Sequence, residues 1–137
     1  MKSQSSHSRP RMIASGVAVV FGILTIVSGG RALFGGAAAQ AAAGDAVPFV
    51  LWFNFLSGFA YVLAGVGIAM GRRWAVALAI ALVAAIAVVF VLFGLHVYRG
   101  ATFEMRTVGA MTLRLLVWVA IAAVATRCTI ASGPREA

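Results

Sequence analysis

Charge is scarce in this 137-residue chain: only 10% of its residues are Asp, Glu, Lys or Arg. A soluble domain carries about a quarter, so an ordinary water-facing surface is excluded. Cysteine is almost missing as well. The single Cys128 excludes an intrachain disulfide and a dithiol redox pair. Two histidines, His7 and His96, make bis-histidine haem within one chain improbable. His96 with Glu104, Met105 and Met111 offers metal-ligand types, but neither H-x-x-x-H nor C-x-x-C spacing supports a site, and no metal is expected. A glycine-rich phosphate loop after a strand is absent, and so is a nucleophile elbow. A self-contained enzyme therefore lacks its usual machinery, and the residues themselves call for no cofactor.

What the chain has is apolar length. It is 63% hydrophobic with a mean hydropathy of +1.04. Three runs, 12–30, 49–70 and 74–97, are essentially uninterrupted, and a fourth, 107–126, is broken only by Arg114. Each approaches the roughly 20 residues needed to cross a hydrocarbon core. The fold expected is all-α: an integral membrane four-helix bundle with spans at about 12–30, 48–70, 74–97 and 104–127. A disordered tail, 1–11, precedes this single domain, and a short tail, 128–137, follows it. The Ala- and Gly-rich loop 32–47 is expected to add a helical turn outside the membrane or to lie along its interface. Pro48 opens span two, where a missing N–H costs nothing.

The net charge of +8 reads as orientation. Lys2, Arg9, Arg11, Arg72, Arg73, Arg127 and Arg135 fall on one side of the spans. Arg31, Arg99 and Arg106 fall on the other, with Asp45 and Glu104. The positive-inside rule then puts both termini in the cytoplasm, N-in/C-in, in a cell inner (plasma) membrane. Too little chain lies outside the spans for a nucleic-acid surface. A cleaved signal peptide is the competing reading of the first run, with an A-x-A pattern at 37–39; the run is long for it and continues through Gly29, Gly30 and Arg31. Trp52, Trp74 and Tyr98 sit near span ends, as an aromatic belt would place them.

Small residues mark where membrane helices approach closely. Gly22 and Gly29 lie seven apart in span one. In span two Asn54, Gly58, Tyr61 and Gly65 share one helical face. The glycines are read as helix-packing positions. Asn54 and Tyr61 are either interhelical hydrogen-bonding groups or the lining of a pocket. Span three has no polar residue before His96. In span four Glu104, Thr107, Met111, Arg114 and Trp118 recur at helical spacing, while Arg106 points nearly the opposite way, toward the interface.

Arg114 is the costly residue. A guanidinium within a span costs roughly 2.5–3.5 kcal/mol on insertion scales. It lies about 10–12 Å below the outer end of its span at the helical rise. From there it either snorkels to the headgroups or turns inward to Asn54, Tyr61 or a bound anion. Asn54, Tyr61, His96, Glu104, Thr107 and Arg114 are the candidate polar-pocket residues, all but Tyr61 placed in the outward half. Glu104 also suits a helix N-terminus, where the dipole favours a carboxylate.

Asn54-Phe55-Leu56-Ser57-Gly58, then Gly65, Gly67, Gly71-Arg72-Arg73 and Ala75, resemble the second-span signature of the DoxX-like family. Ser28-Gly29-Gly30-Arg31-Ala32-Leu33 is similar to that family's Gly-then-basic exit from span one. The resemblance covers roughly 12–85, and Asn54 stands where the family usually has a carboxylate. It implies a four-helix bacterial inner-membrane protein, some relatives being small subunits of quinone-linked oxidoreductases; quinone is expected only through this resemblance. The leading expectation is a non-catalytic subunit or accessory protein that packs through its glycine faces into a homo-oligomer or with other membrane subunits in the lipid bilayer. The alternative is a small transporter or channel with an outward-facing polar pocket for an anionic solute. The almost purely apolar cytoplasmic half of each span favours the former.

Overall fold

The computed structural model describes residues 5–131. They form α1 (Ser5–Phe34), α2 (Gly36–Ala43), α3 (Pro48–Ala69), α4 (Arg73–Tyr98) and α5 (Met105–Ala131). The four long helices are each long and apolar enough to cross a membrane. The chain is thus an all-α membrane protein, and its spans overrun the apolar stretches that define them. Helix α1 begins at Ser5, inside the tail expected to be disordered, and contains Pro10. Extending an existing helix is far cheaper than nucleating one, so the apolar segment carries the polar turns before it. Helix α5 likewise continues to Ala131. The remaining tail residues, 1–4 and 132–137, lie outside the described residues.

Two close approaches set the architecture. The first is the α1–α3 seam. Ser15 Oγ donates to the Gly65 carbonyl at 2.7 Å. A β-carbon added to Gly22 would lie 2.9 Å from the Gly58 carbonyl oxygen, and one added to Gly29 would lie 3.2 Å from the Phe55 Cα. The residue pairs run in opposite chain directions, so the helices are antiparallel. Ser15, Gly22 and Gly29 step by seven on α1 while Gly58 and Gly65 step by seven on α3. That interval keeps small residues on one seam through several turns. Gly22, Gly29, Gly58 and Gly65 all meet the partner helix within this pair.

The second is the tight α3–α4 turn. The Arg72 N–H donates to the Gly67 carbonyl at 2.9 Å and the Gly71 N–H to that of Ile68 at 3.0 Å. Gly71 adopts φ +68°, the left-handed conformation this helix stop requires. Trp74 and Ala75 return so closely that a β-carbon on Gly67 would strike both. Helix α1 packs on α3 and α5, and α4 packs on the same two, so the order around the bundle is α1–α3–α4–α5.

The centre is filled across the α3–α5 diagonal. Tyr61 and Trp118, both fully buried, bring their rings to 4.6 Å between centroids. Toward the end that holds the α3–α4 turn, Ala64, Ile68, Ala75, Ala79, Ala122 and Ala125 close the core. Large apolar side chains such as Leu24, Leu56, Leu63, Leu92 and Leu116 face outward. On a chain of this class that surface meets acyl chains, not water.

Candidate functional site

At the opposite end of the bundle the helices frame a half-open cavity of about 310 Å³. Its walls come from the end of α1 (Ser28, Gly29), the start of α3 (Val50, Leu51, Asn54) and the first turns of α5 (Thr107, Ala110, Arg114). Its roof is α2 and the segment after it, through Ala42, Ala43, Ala46 and Val47. Helix α4 contributes nothing to it.

Arg114 lies at its inner end. Side chains lean toward their helix N-terminus, and both α3 and α5 begin at the α2 end. Arg114 and Asn54 are therefore canted toward the cavity from opposite sides of the bundle. They meet there: Arg114 Nη1 donates to Asn54 Oδ1 at 2.8 Å. The same nitrogen lies 3.4 Å from Met111 Sδ. The guanidinium is also 6.0 Å from the centre of the Phe21 ring, which gives a modest cation–π attraction. With 7% of its surface exposed, Arg114 is turned inward and does not snorkel to the lipid-facing surface.

Its charge is not neutralised. Asp45 and Glu104 are the acids among the described residues, and neither pairs with it. Arg114 Nε is buried without an acceptor. Two further donors nearby share that condition, Tyr61 Oη and Trp118 Nε1. Ser57 is the polar neighbour of the Tyr61 hydroxyl, but the pair falls outside hydrogen-bonding geometry; Ser57 Oγ donates instead to the Asn54 carbonyl at 3.0 Å. Unpaired buried donors cost about 1–3 kcal/mol each. Around Arg114 and just below it, buried donors thus outnumber acceptors, while the Glu104 carboxylate lines the cavity nearer the roof, where the Asp45 N–H donates to it.

The roof is strapped down from α5. The Asp45 N–H donates to Glu104 Oε1 at 3.1 Å, and Arg106 Nη2 donates to the Ala42 carbonyl at 2.9 Å. Gly44, at φ +62°, lies so near the Glu104 carboxylate that any β-carbon there would collide with it. Helix α2 leaves the end of α1 and is fastened to the start of α5, so it bridges these two helices above the cavity.

Four of the six candidate pocket residues, Asn54, Glu104, Thr107 and Arg114, line the cavity. Tyr61 does not; it lies deeper, stacked on Trp118. His96 is elsewhere, edge-on to Phe49 with ring centroids 5.9 Å apart, because α4 runs on the far side of α3 and α5. Arg106 had pointed to the interface on helical geometry alone. It is exposed yet lines the cavity mouth and holds the roof, because α2 folds back over the start of α5. Gly29 was read as a packing position alone, and neither Ser28 nor the α2 residues signalled a cavity: an Ala run does not reveal what it will cover.

Among known proteins, no family model, no curated protein and no solved structure matches this chain.

Proposed function

We propose that this small membrane protein is a non-catalytic binding protein that receives an anionic group in the cavity beneath α2. The observation that carries this reading is Arg114: a buried guanidinium with no carboxylate partner, oriented by Asn54 and facing a cavity. A cation held this way has lost its water, so a ligand oxyanion relieves more free energy here than at the surface. Asn54 suits the task. It accepts one N–H and fixes the guanidinium plane while leaving the positive charge intact. A carboxylate at this position, usual in the DoxX-like family that spans one to three resemble, would neutralise that charge.

Two features favour binding over conduction. Below Arg114 the Tyr61–Trp118 stack and the small apolar residues beyond it fill the core. The cavity lining goes no deeper than Arg114 on α5 and Asn54 on α3. The accessory-subunit role fits a one-sided binding protein, but Gly22, Gly29, Gly58 and Gly65 are occupied within the chain and so do not argue for an oligomer. The distribution of basic residues supports a plasma-membrane protein with both termini inside, which turns the cavity outward.

Calorimetric titration in nanodiscs of phosphatidylcholine, with inorganic phosphate and with oleate, tests the reading. At least one anion should bind, and Arg114→Gln should weaken it about tenfold or more, the scale of a charge-assisted hydrogen bond. Equal affinities of the wild type and the variant, or no binding of either anion, would sink it.

A further inference from the structure

We infer that the ligand is amphiphilic, an anionic group on an apolar body, and that it reaches Arg114 sideways from the bilayer between α1 and α5. This rests on the anion-binding reading and narrows it.

The first argument is the wall chemistry. Apart from Arg114, Asn54 and the polar groups at the rim, the cavity is faced by Ala43, Ala46, Val47, Val50, Leu51 and Ala110. Its 310 Å³ is at the lower end of pockets that hold organic ligands and exceeds what a bare oxyanion fills. Val47 and Val50 are almost fully buried, so the apolar lining is a packed wall.

The second argument is depth. Arg114 is nine residues into α5, about 13 Å along the helix axis at 1.5 Å per residue. An inorganic anion drawn from water to that level gives up its hydration for one guanidinium and a few donors, a poor exchange. An amphiphile already has its body in an apolar medium and moves only its head.

The third argument is the route. Above the cavity, α2 is fastened to α5 by the Glu104–Asp45 and Arg106–Ala42 hydrogen bonds. Behind it, α3 and α1 are sealed by the glycine seam. Below it, Phe21 and the Tyr61–Trp118 stack close the centre. Four lining residues are exposed: Ala42 and Arg106 are hydrogen-bonded to each other in the strap, whereas Ser28 and Ala110, both small, leave the flank between α1 and α5 open. A headgroup passing between them meets Asn54 and Arg114 directly, with its chain left along the lipid-facing surface.

The test uses the full-length protein in phosphatidylcholine nanodiscs and native mass spectrometry with calorimetry. Three probes are compared: oleate, phosphatidylglycerol and inorganic phosphate. The variants are Ala110→Trp, which blocks the flank from an exposed position, Arg114→Gln, and Arg114→Lys, which keeps the charge. Circular dichroism and gel filtration check each for folding. The expected result is that oleate or phosphatidylglycerol binds, that Ala110→Trp and Arg114→Gln each weaken it roughly tenfold, and that Arg114→Lys, which keeps the charge but not the guanidinium geometry, weakens it less than Arg114→Gln. Which of the two amphiphiles binds tells whether the source is a free fatty acid or a membrane lipid. Arg114-dependent binding of phosphate alone would overturn the inference and leave the anion reading standing. So would amphiphile binding that Ala110→Trp does not change. No Arg114-dependent binding of any probe would overturn both.

Discussion

At the scale of single residues, the proposed anion binding turns on the difference between an amide and a carboxylate at one position. Asn54 accepts from Arg114 Nη1 at 2.8 Å, and an aspartate of nearly the same shape would accept the same proton while cancelling the charge. Asn54→Asp is therefore expected to abolish anion binding with no loss of thermal stability, because it gives a buried cation the partner it lacks. A calorimetric titration beside a thermal melt checks both halves of that statement; retained binding would mean that the charge is not what holds the ligand. The chain announced Arg114 plainly, since a lone guanidinium in an apolar run is conspicuous. It announced Asn54 less plainly, through a shared helical face with Gly58, Tyr61 and Gly65. It did not reveal that Tyr61 would stack on Trp118 below the cavity, or that His96 would be carried away by α4. Periodicity assigns a residue to a face of its own helix. Which neighbour that face meets depends on the order of helices around the bundle.

At the scale of helices, not every glycine is equal. A β-carbon on Gly58 would lie 2.6 Å from Ile26 Cγ1 and 3.1 Å from the Gly22 carbonyl oxygen, whereas one on Gly109 meets nothing within 4 Å. Gly58→Ala should therefore destabilise the protein by about 1–3 kcal/mol through forced separation of α1 from α3. Gly109→Ala should be neutral or stabilising by up to about 1 kcal/mol, the helix-propensity gain. Thermal unfolding of the two variants in detergent distinguishes them, and similar losses would contradict the seam. The spans themselves were legible because a 20-residue apolar run has few other uses. The strap was not. Its two hydrogen bonds join residues 59 and 64 positions apart, and an alanine run ending in Gly44–Asp45 gives no hint of the glutamate it will meet.

At the scale of the whole molecule, the cavity lies at one end of the bundle and a core of small buried residues lies toward the other. That other end holds the α3–α4 turn, with Arg11 Nη1 close over Gly71, and its core includes buried Ala64, Ala75, Ala79, Ala122 and Ala125. On the proposed reading, such a body takes up a ligand from one face and does not hand it across. Proteoliposomes loaded with a fluorescent anion indicator should therefore show no protein-dependent flux of phosphate or oleate, for the wild type and for Arg114→Gln alike. Wild-type flux lost in the variant would identify a transporter and require that the Tyr61–Trp118 closure opens.

That closure has an optical consequence. Of the three tryptophans, Trp52 and Trp74 are about half exposed on the lipid-facing surface, where phenylalanine can replace them. Trp118 alone lies inside, against Tyr61 and one helical turn from the guanidinium. Its indole emission responds to the local electric field, and neutralising a positive charge a few ångströms away changes that field. With the two outer indoles replaced, the protein becomes its own indicator dye: a shift in the colour of one tryptophan reports whether the chamber above it is filled.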